Sequence, residues 1–380
     1  RRPLSPLPAG AAPAVTPLGA HLVRRIRIEG PLSIADFMTE ALTHPTLGYY
    51  RTAAPVGAGG DFITAPEISQ MFGELIGLCC LDLWERMGRP APVRLVELGP
   101  GRGALIGDAL RATRIRPEFH AAATLHLVEI NPALRTDQAA AVAPYRDRLG
   151  GCAWHDGFAA VPPGPLLLVA NEFFDALPVH QFARQGGAWR ERVVGLDPSG
   201  ERLAFALAAP GPAAALLPSA PATAPEGSVI EISPAGIALA DRIARRIADA
   251  GGGALVIDYG HAGEPIWSLQ AVRRQKRERD PLAEPGLVDL SAQVDFARLV
   301  EAAGQAGAAT QGPVSQRDFL EALGIRARAA ALAERARGDQ AKAIEAALHR
   351  LLDPAEMGTL FQAIAFARPG GPDPAGFAIR

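Results

Sequence analysis

Apolar and polar positions alternate along the chain in a rhythm that divides it into strand–turn–helix units. Val93, Leu95, Val96 and Leu98 make a short apolar run that predicts a strand. Gly99, Gly101 and Gly103 follow, and Leu105 to Arg111 then predicts a helix. Thr124 to Val128 predicts a second strand, ending at Glu129, and Asn131-Pro132 opens another helix. Cys152 to His155 predicts a short third strand, closed by Asp156-Gly157. Pro165 to Ala170 is apolar throughout, as a strand covered on both faces should be. Strands alternating with helices predict an α/β fold built on a doubly wound, mostly parallel sheet.

The flanks read differently. Ala20 to Glu29 predicts a helix, Ser33 caps a second, and Pro66 starts a long amphipathic helix that reaches Trp84 and Met87. Between Val179 and Ile232 the rhythm changes. Val179 to Ala183, Trp189 to Leu196 and Arg202 to Leu207 predict short antiparallel strands, and Ala208 to Gly227 a Pro/Ala-rich loop. The helix Pro234 to Ala250 and the strand Ala254 to Tyr259 resume the main pattern. A long polar loop is expected from Gly260 to Val294, with its RRQKRERD run (Arg273 to Asp280) as a solvated face. Asp295 to Ala303 predicts a helix and Ala306 to Gln311 a strand. Ser315 to Leu352 predicts helices interrupted at Gly324 and Gly338, and Leu360 to Ala367 a last strand. The organisation expected is a loose tail (1–19) and an N-terminal helical lid or cap region (20–90). A core (91–178 and 230–370) carries inserted helices at about 313–352, and a β insertion spans 179–229.

Composition narrows the classes. At 380 residues and 48% hydrophobic the chain can bury a large core, and a net charge of -2 gives no global pull toward nucleic acid or anionic lipid. No apolar stretch is long enough to span a bilayer. Three cysteines, Cys79 and Cys80 adjacent, read as buried thiols of a reducing compartment. His44, His155 and His261 lack ligand spacing, so no metal is expected. Arg1 to Ile28 has arginines and no acid, like an organellar transit peptide, though its prolines spoil the amphipathic helix such a peptide needs. A bacterial cytoplasmic protein is expected, the mitochondrial matrix being the alternative.

The glycine turn after Leu98 is a nucleotide-type cofactor cradle at the carboxyl end of a parallel strand. Gly99, Gly101 and Ala104 also satisfy G-x-G-x-x-G/A, so spacing alone leaves an NAD-dependent oxidoreductase open. Charge favours S-adenosylmethionine (SAM). A carboxylate at Glu97 would repel a pyrophosphate and attract a sulfonium and an ammonium. Glu129 suits a ribose diol.

The series GDFITAPEISQMFGE, VELGPGRG, NEFFDALP, IEISPA, IDYG, DPLAEPG and VDF resembles the MidA-like family of class I SAM-dependent methyltransferases, from about His44 to about Arg368. That family includes the mitochondrial complex I assembly factor that methylates an arginine of a core subunit. The resemblance implies a seven-stranded, Rossmann-like methyltransferase sheet with SAM as cofactor. It also implies a protein substrate, an arginine of a complex I subunit or similar, and a homodimer is an open expectation. An assembly factor without turnover is the non-enzymatic alternative. By the resemblance, Asp61 to Glu67 becomes a lid, with Thr64 and Glu67 as candidate contacts to the methionine end. Glu172 and Asp175, after the fourth strand, could clamp a guanidinium, with Asn171 helping to hold the reacting nitrogen. The bland alternatives are that Asp175 caps a turn and that Glu172 only contacts backbone. Asp156 could accept the adenine amino group or cap a turn. Asp258 and Tyr259 could complete the acceptor pocket, or Tyr259 could be a structural anchor.

Overall fold

A computed structural model describes residues 16–52, 64–209, 211–217, 224–264, 266–273 and 276–377. Most of the expected tail, the glycine-rich loop Val56 to Gly60, the lid residues Asp61 to Ile63 and part of the Pro/Ala loop lie outside them. The main sheet comprises β1 (Val93–Leu98), β2 (Ala123–Val128), β3 (Gly151–His155), β4 (Leu166–Asn171), β5 (Gly252–His261), β6 (Ala309–Ser315) and β7 (Phe361–Ala367). Their spatial order is β3-β2-β1-β4-β5-β7-β6. β1 to β5 are mutually parallel, and β7 runs antiparallel to β5 and β6. A two-residue strand, Val294–Asp295, pairs with the end of β5. Strand order reverses between β1 and β4, which puts a topological switch point at their carboxyl ends.

The faces follow from side-chain alternation. Val93, Leu95, Leu167 and Val169 face the helices Gln70–Arg86 and Ala104–Thr113. Val96, Leu98, Leu166 and Leu168 face Pro234–Ala250 and Phe296–Gln305. The first helix pair is pressed close because Gly77 has no side chain: a Cβ there would lie 2.5 Å from Ala109 Cα. This crossing fixes the helix that leaves the glycine turn. No helix among the described residues is long and apolar enough to cross a membrane.

Antiparallel strands are present where the rhythm changes, and they recruit more chain than expected. His180–Gln185, Ala188–Leu196 and Leu203–Leu207 form an antiparallel sheet. Val229–Ile232 adds a strand on one side, and Leu32–Ser33 pairs with Val193 and Val194 on the other. The helices Pro17–Glu29 and Ile34–Thr43 therefore share a second core with this sheet and with residues 269–292. The stretch Gly260 to Val294 is not simply a polar loop. Gln270–Arg273, Lys276–Glu278 and Asp289–Ser291 form a three-stranded sheet, and Leu282, Val288 and Leu290 are buried. Strands of three and four residues are too short to give a readable period. The helix expected from Pro66 is broken at Ser69, whose φ of -160° separates Ala65–Ile68 from Gln70–Arg86. The Ser69 hydroxyl then accepts the Met71 amide at 3.2 Å and caps the second helix.

Candidate active site

The turn after β1 is set by backbone conformation. Gly99, Gly101 and Gly103 have φ of 61°, 54° and 84°, a region that disfavours side chains. The Gly103 amide donates to the Pro100 carbonyl at 2.8 Å, and the helix Ala104–Thr113 starts with its free amides toward the turn. A Cβ on Gly99 would lie 2.7 Å from the Phe173 ring, so that ring walls the cradle.

One buried side chain ties this turn to the second strand. Gln138, on the helix Pro132–Val142, donates to the Gly101 carbonyl at 2.7 Å and to Glu129 Oε2 at 3.2 Å. Its own carbonyl accepts Trp154 Nε1 at 2.8 Å. Glu129 Oε1 accepts the Asn131 amide at 2.8 Å. Burial pushes the Glu129 carboxyl up, while these bonds hold it down. Each carboxylate oxygen keeps acceptor capacity for a ribose hydroxyl. Asp156 lies further out. Its side chain is 83% exposed and accepts Arg135 Nη2 at 2.5 Å, and Arg135 Nε reaches the Glu129 carbonyl at 2.9 Å.

Glu97 corrects the charge argument. It is 4% exposed, and burial raises its carboxyl to about 8, eased only by the Ile106 amide. Its neighbours include Ile76, Cys80 and Leu105, and Oε2 has no partner. Near neutral pH it is a protonated acid beneath the turn, so it does not discriminate cofactors as a bare charge would.

The carboxyl end of β4 is the second half of the site. Glu172 has φ of 50°, a left-handed conformation that side chains rarely adopt, directly beside the cradle wall Phe173. Its Oε1 accepts the Ala65 amide at 2.8 Å and Asn171 Nδ2 at 3.1 Å. Glu172 thus pins the start of the helix Ala65–Ile68, a backbone contact the sequence held as an alternative. Burial raises its carboxyl to about 7, against the lowering effect of those two bonds. Asn171 is 8% exposed, and its Oδ1 is buried with no partner. Asp175 is pushed well up by burial, then by Asp258, Asp289 and Glu172.

Asp258 does not complete the acceptor pocket. Its Oδ2 accepts the amides of Phe173, Phe174 and Asp175 at 3.1, 2.9 and 3.2 Å, and Oδ1 accepts its neighbour Tyr259 at 2.9 Å. With no exposed surface, it shapes the turn that presents Glu172. Tyr259 is anchored, its hydroxyl donating to Ser291 Oγ at 2.8 Å and accepting Gln270 Nε2 at 2.9 Å. Thr64 precedes Ala65–Ile68 without a side-chain cap, its carbonyl accepting the Glu67 amide at 2.9 Å. Glu67 lies near enough to Asp108 to raise it.

The fold also brings together His21, Glu40 and His44, whose ligand atoms lie within 4.8 Å of one another. Sequence spacing could not show this, since His21 comes from another helix. The hydrogen bonding argues against a metal. His44 Nδ1 accepts the Thr46 and Leu47 amides at 3.3 and 3.2 Å, which places the proton on Nε2, and Glu40 is paired with Arg25 at 2.8 Å.

Sequence reasoning missed Gln138, Trp154 and Phe173. One signal was available: Leu134, Gln138 and Val142 recur every four residues, so Gln138 sits in an apolar stripe. The side-chain-free cradle and the acceptor capacity of Glu129 fit an adenosyl group carrying O–H donors.

Comparison with known proteins agrees. The sequence model of the family described as "Putative S-adenosyl-L-methionine-dependent methyltransferase" matches residues 75–314. A zebrafish (Danio rerio) protein named "Protein arginine methyltransferase NDUFAF7, mitochondrial" is 36% identical over 368 residues, 90% of this chain and 85% of that one. The human protein of that name is 35% identical over 372 residues, 92% of this chain and 83% of that one. A Burkholderia thailandensis protein crystallised with S-adenosyl-homocysteine superposes with a TM-score of 0.81. It is 27% identical, and the match covers 97% of this chain and 98% of that one.

Proposed function

This chain belongs to the family of S-adenosyl-L-methionine-dependent methyltransferases matched above, and on that premise we propose that its acceptor is an arginine side chain of a protein. The dinucleotide alternative falls with family membership. The relatives' names support the acceptor, and one observation in this chain carries it: the paired Asn171 and Glu172 at the end of β4. Asn171 offers a buried, unpartnered carbonyl oxygen, and Glu172 a carboxyl held at about 7. A guanidinium supplies the N–H donor that Asn171 Oδ1 lacks and a second that Glu172 Oε2 can accept.

When bound, SAM supplies an electrophilic methyl on a sulfonium. Gly99 to Gly103 would receive its adenosyl part, Glu129 the ribose diol, and Thr64 and Glu67 the methionine end. Asp156 remains the candidate for the adenine edge, tethered by Arg135. Asn171 and Glu172 would hold the guanidinium in line with the methyl. The acceptor nitrogen gives its lone pair to the new N–C bond, the C–S pair stays on sulfur, and the nitrogen's proton passes to Glu172. Asp175 lies beside this pair, its carboxyl raised by burial and then by Asp258, and Asp258 holds the turn.

A complex I core subunit is the first substrate to try, in a bacterial cytoplasm or a mitochondrial matrix. The test is incubation with labelled SAM and lysate from a strain lacking the protein. Label recovered as methylarginine in one protein band is the expected result. Label recovered as methyl-lysine, or only in small molecules, would overturn the arginine reading.

A further inference from the structure

Residues 44–51, HPTLGYYR, have no part in the reaction described above, yet they reach both sides of the glycine turn. The first five close on themselves. His44 Nδ1 accepts the Thr46 and Leu47 amides, and its carbonyl accepts the Gly48 amide at 3.0 Å. A Cβ on Gly48 would lie 2.4 Å from the His44 nitrogen, so the turn needs glycine there. The Gly48 carbonyl accepts the Arg51 amide at 3.0 Å, and the short helix Tyr49–Thr52 follows. Tyr49 is 1% exposed and belongs to the second core, so the N-terminal unit carries this helix.

The next two side chains go opposite ways. The Tyr50 hydroxyl donates to Asp289 Oδ1 at 2.9 Å. The strand Asp289–Ser291 is tied to the ends of β5 and β4: Ser291 Oγ accepts the Tyr259 hydroxyl, and the Ala292 amide donates to the Asp175 carbonyl at 2.9 Å. Arg51 Nη1 instead donates to the Ile130 carbonyl at 2.9 Å, just past β2. The strands run β2-β1-β4-β5, so the two anchors lie on either side of β1. Tyr50 and Arg51 therefore straddle the carboxyl end of β1, where the glycine turn begins.

Arg51 grips the bend that presents Glu129. The Ile130 carbonyl and the Asn131 amide belong to one rigid peptide unit, whose C=O and N–H point opposite ways. Arg51 holds the oxygen of that unit, and its N–H donates to Glu129 Oε1 at 2.8 Å. The preceding peptide repeats the arrangement. Arg135 Nε holds the Glu129 carbonyl at 2.9 Å, and the Ile130 amide helps to keep the Glu129 carboxyl down. Each amide that the carboxylate accepts is thus aimed by an arginine on the other end of its peptide. Arg135 is local, six residues from Glu129, whereas Arg51 comes from 79 residues before Ile130.

Resting on the ribose reading of Glu129 in the previous subsection, we propose that Arg51 is a positioning residue of the cofactor site. It sets the Glu129 carboxylate from across the glycine turn, so that the ribose contact is complete only when the N-terminal unit is docked.

The test uses the whole chain and calorimetric binding of S-adenosyl-homocysteine to wild type, Arg51→Gln, Glu129→Gln and the double variant. Thermal midpoints without ligand check folding. Arg51 is exposed, so its substitution leaves both cores intact. Arg51→Gln should weaken binding about fivefold, the worth of one ordinary hydrogen bond. It should raise the KM for SAM in parallel, with the KM for protein acceptor and kcat changed less. Glu129→Gln should weaken binding about tenfold or more. On that background Arg51→Gln should add less than about twofold, because the two act as one unit. Should Arg51→Gln fold poorly, Arg51→Met takes its place. Wild-type affinity in the Arg51 variant, or its full factor persisting on Glu129→Gln, would overturn the inference while leaving the ribose reading in place. Wild-type affinity in Glu129→Gln would overturn the ribose reading, and the inference with it.

Discussion

Glu172 is held in two ways that bear on its chemistry. Its left-handed backbone carries a side chain that reaches the Ala65 amide, and its burial sets the carboxyl at about 7. A base must be deprotonated to take a proton, so kcat/KM for the free enzyme should climb as pH rises through about 7. Glu172→Gln keeps the hydrogen-bond shape and loses the base. It should lower kcat by about 10²- to 10⁴-fold while S-adenosyl-homocysteine affinity stays within a few-fold. Turnover of that variant equal to wild type would remove Glu172 from the chemistry. Gly99 tests the other half of the site. A methyl group there meets the Phe173 ring at 2.7 Å in a backbone region costly for alanine. Gly99→Ala should lose about 1–3 kcal/mol of stability and weaken cofactor binding, measured by urea unfolding and calorimetry. These positions were legible in the sequence because strand ends and glycine turns are local features. Their charge states were not, because burial comes from distant chain: Ile76 and Cys80 surround Glu97, and Ala65 lies 107 residues from Glu172.

At the scale of elements, strands and helices of the main sheet were readable, and what joins them was not. β4 announced itself by an unbroken apolar run, and the helix Pro234–Ala250 by its period. The sheet at 270–291 was hidden by strand length, and the helix break at Ser69 by the apolar residues on either side of it. The helix Pro132–Val142 was expected, yet its function lies in the one polar residue of its core stripe. Gln138→Leu would leave the Gly101 carbonyl, the Glu129 carboxylate and the Trp154 N–H short of partners together. We expect S-adenosyl-homocysteine to bind that variant about tenfold or more weakly, each lost bond being worth about 1 kcal/mol. Trp154→Phe, which removes one bond at the far end, should cost less. Calorimetric affinities for Gln138→Leu within twofold of wild type would show that the turn holds its shape unaided.

For the whole molecule, the unusual feature is how many carboxyls are buried around one site, and it sets the pH dependence of stability. Glu97 is raised to about 8 and Glu172 to about 7, with Asp175 and Asp258 also pushed upward by burial. The unfolded chain loses these protons near pH 4, the native protein keeps them, and stability therefore falls as pH rises toward the native values. Buried histidines act in the opposite sense. His126 is lowered to about 4, and His120 and His155 are also lowered, so below about pH 6.5 the unfolded chain binds protons that the native one refuses. The two effects oppose each other below about pH 6.5. Above it the carboxyls act alone until the thiols begin. Burial holds Cys79 at about 12 and Cys80 high, which continues the decline once unfolded thiols ionise. The ligand-free protein should thus lose stability between pH 6.5 and 8, about 2–3 kcal/mol from Glu97 and Glu172 at about 1.4 kcal/mol per tenfold change in acidity. Asp258, raised like Glu97 to about 8, adds to the loss over the same window. Glu97→Gln should flatten the slope, since an amide replaces a group that is neutral in the native state and charged in the unfolded one. Urea midpoints for both proteins at pH 6.5 and 8 make the comparison, and a variant with the wild-type slope would mean that Glu97 is ionised beneath the glycine turn after all.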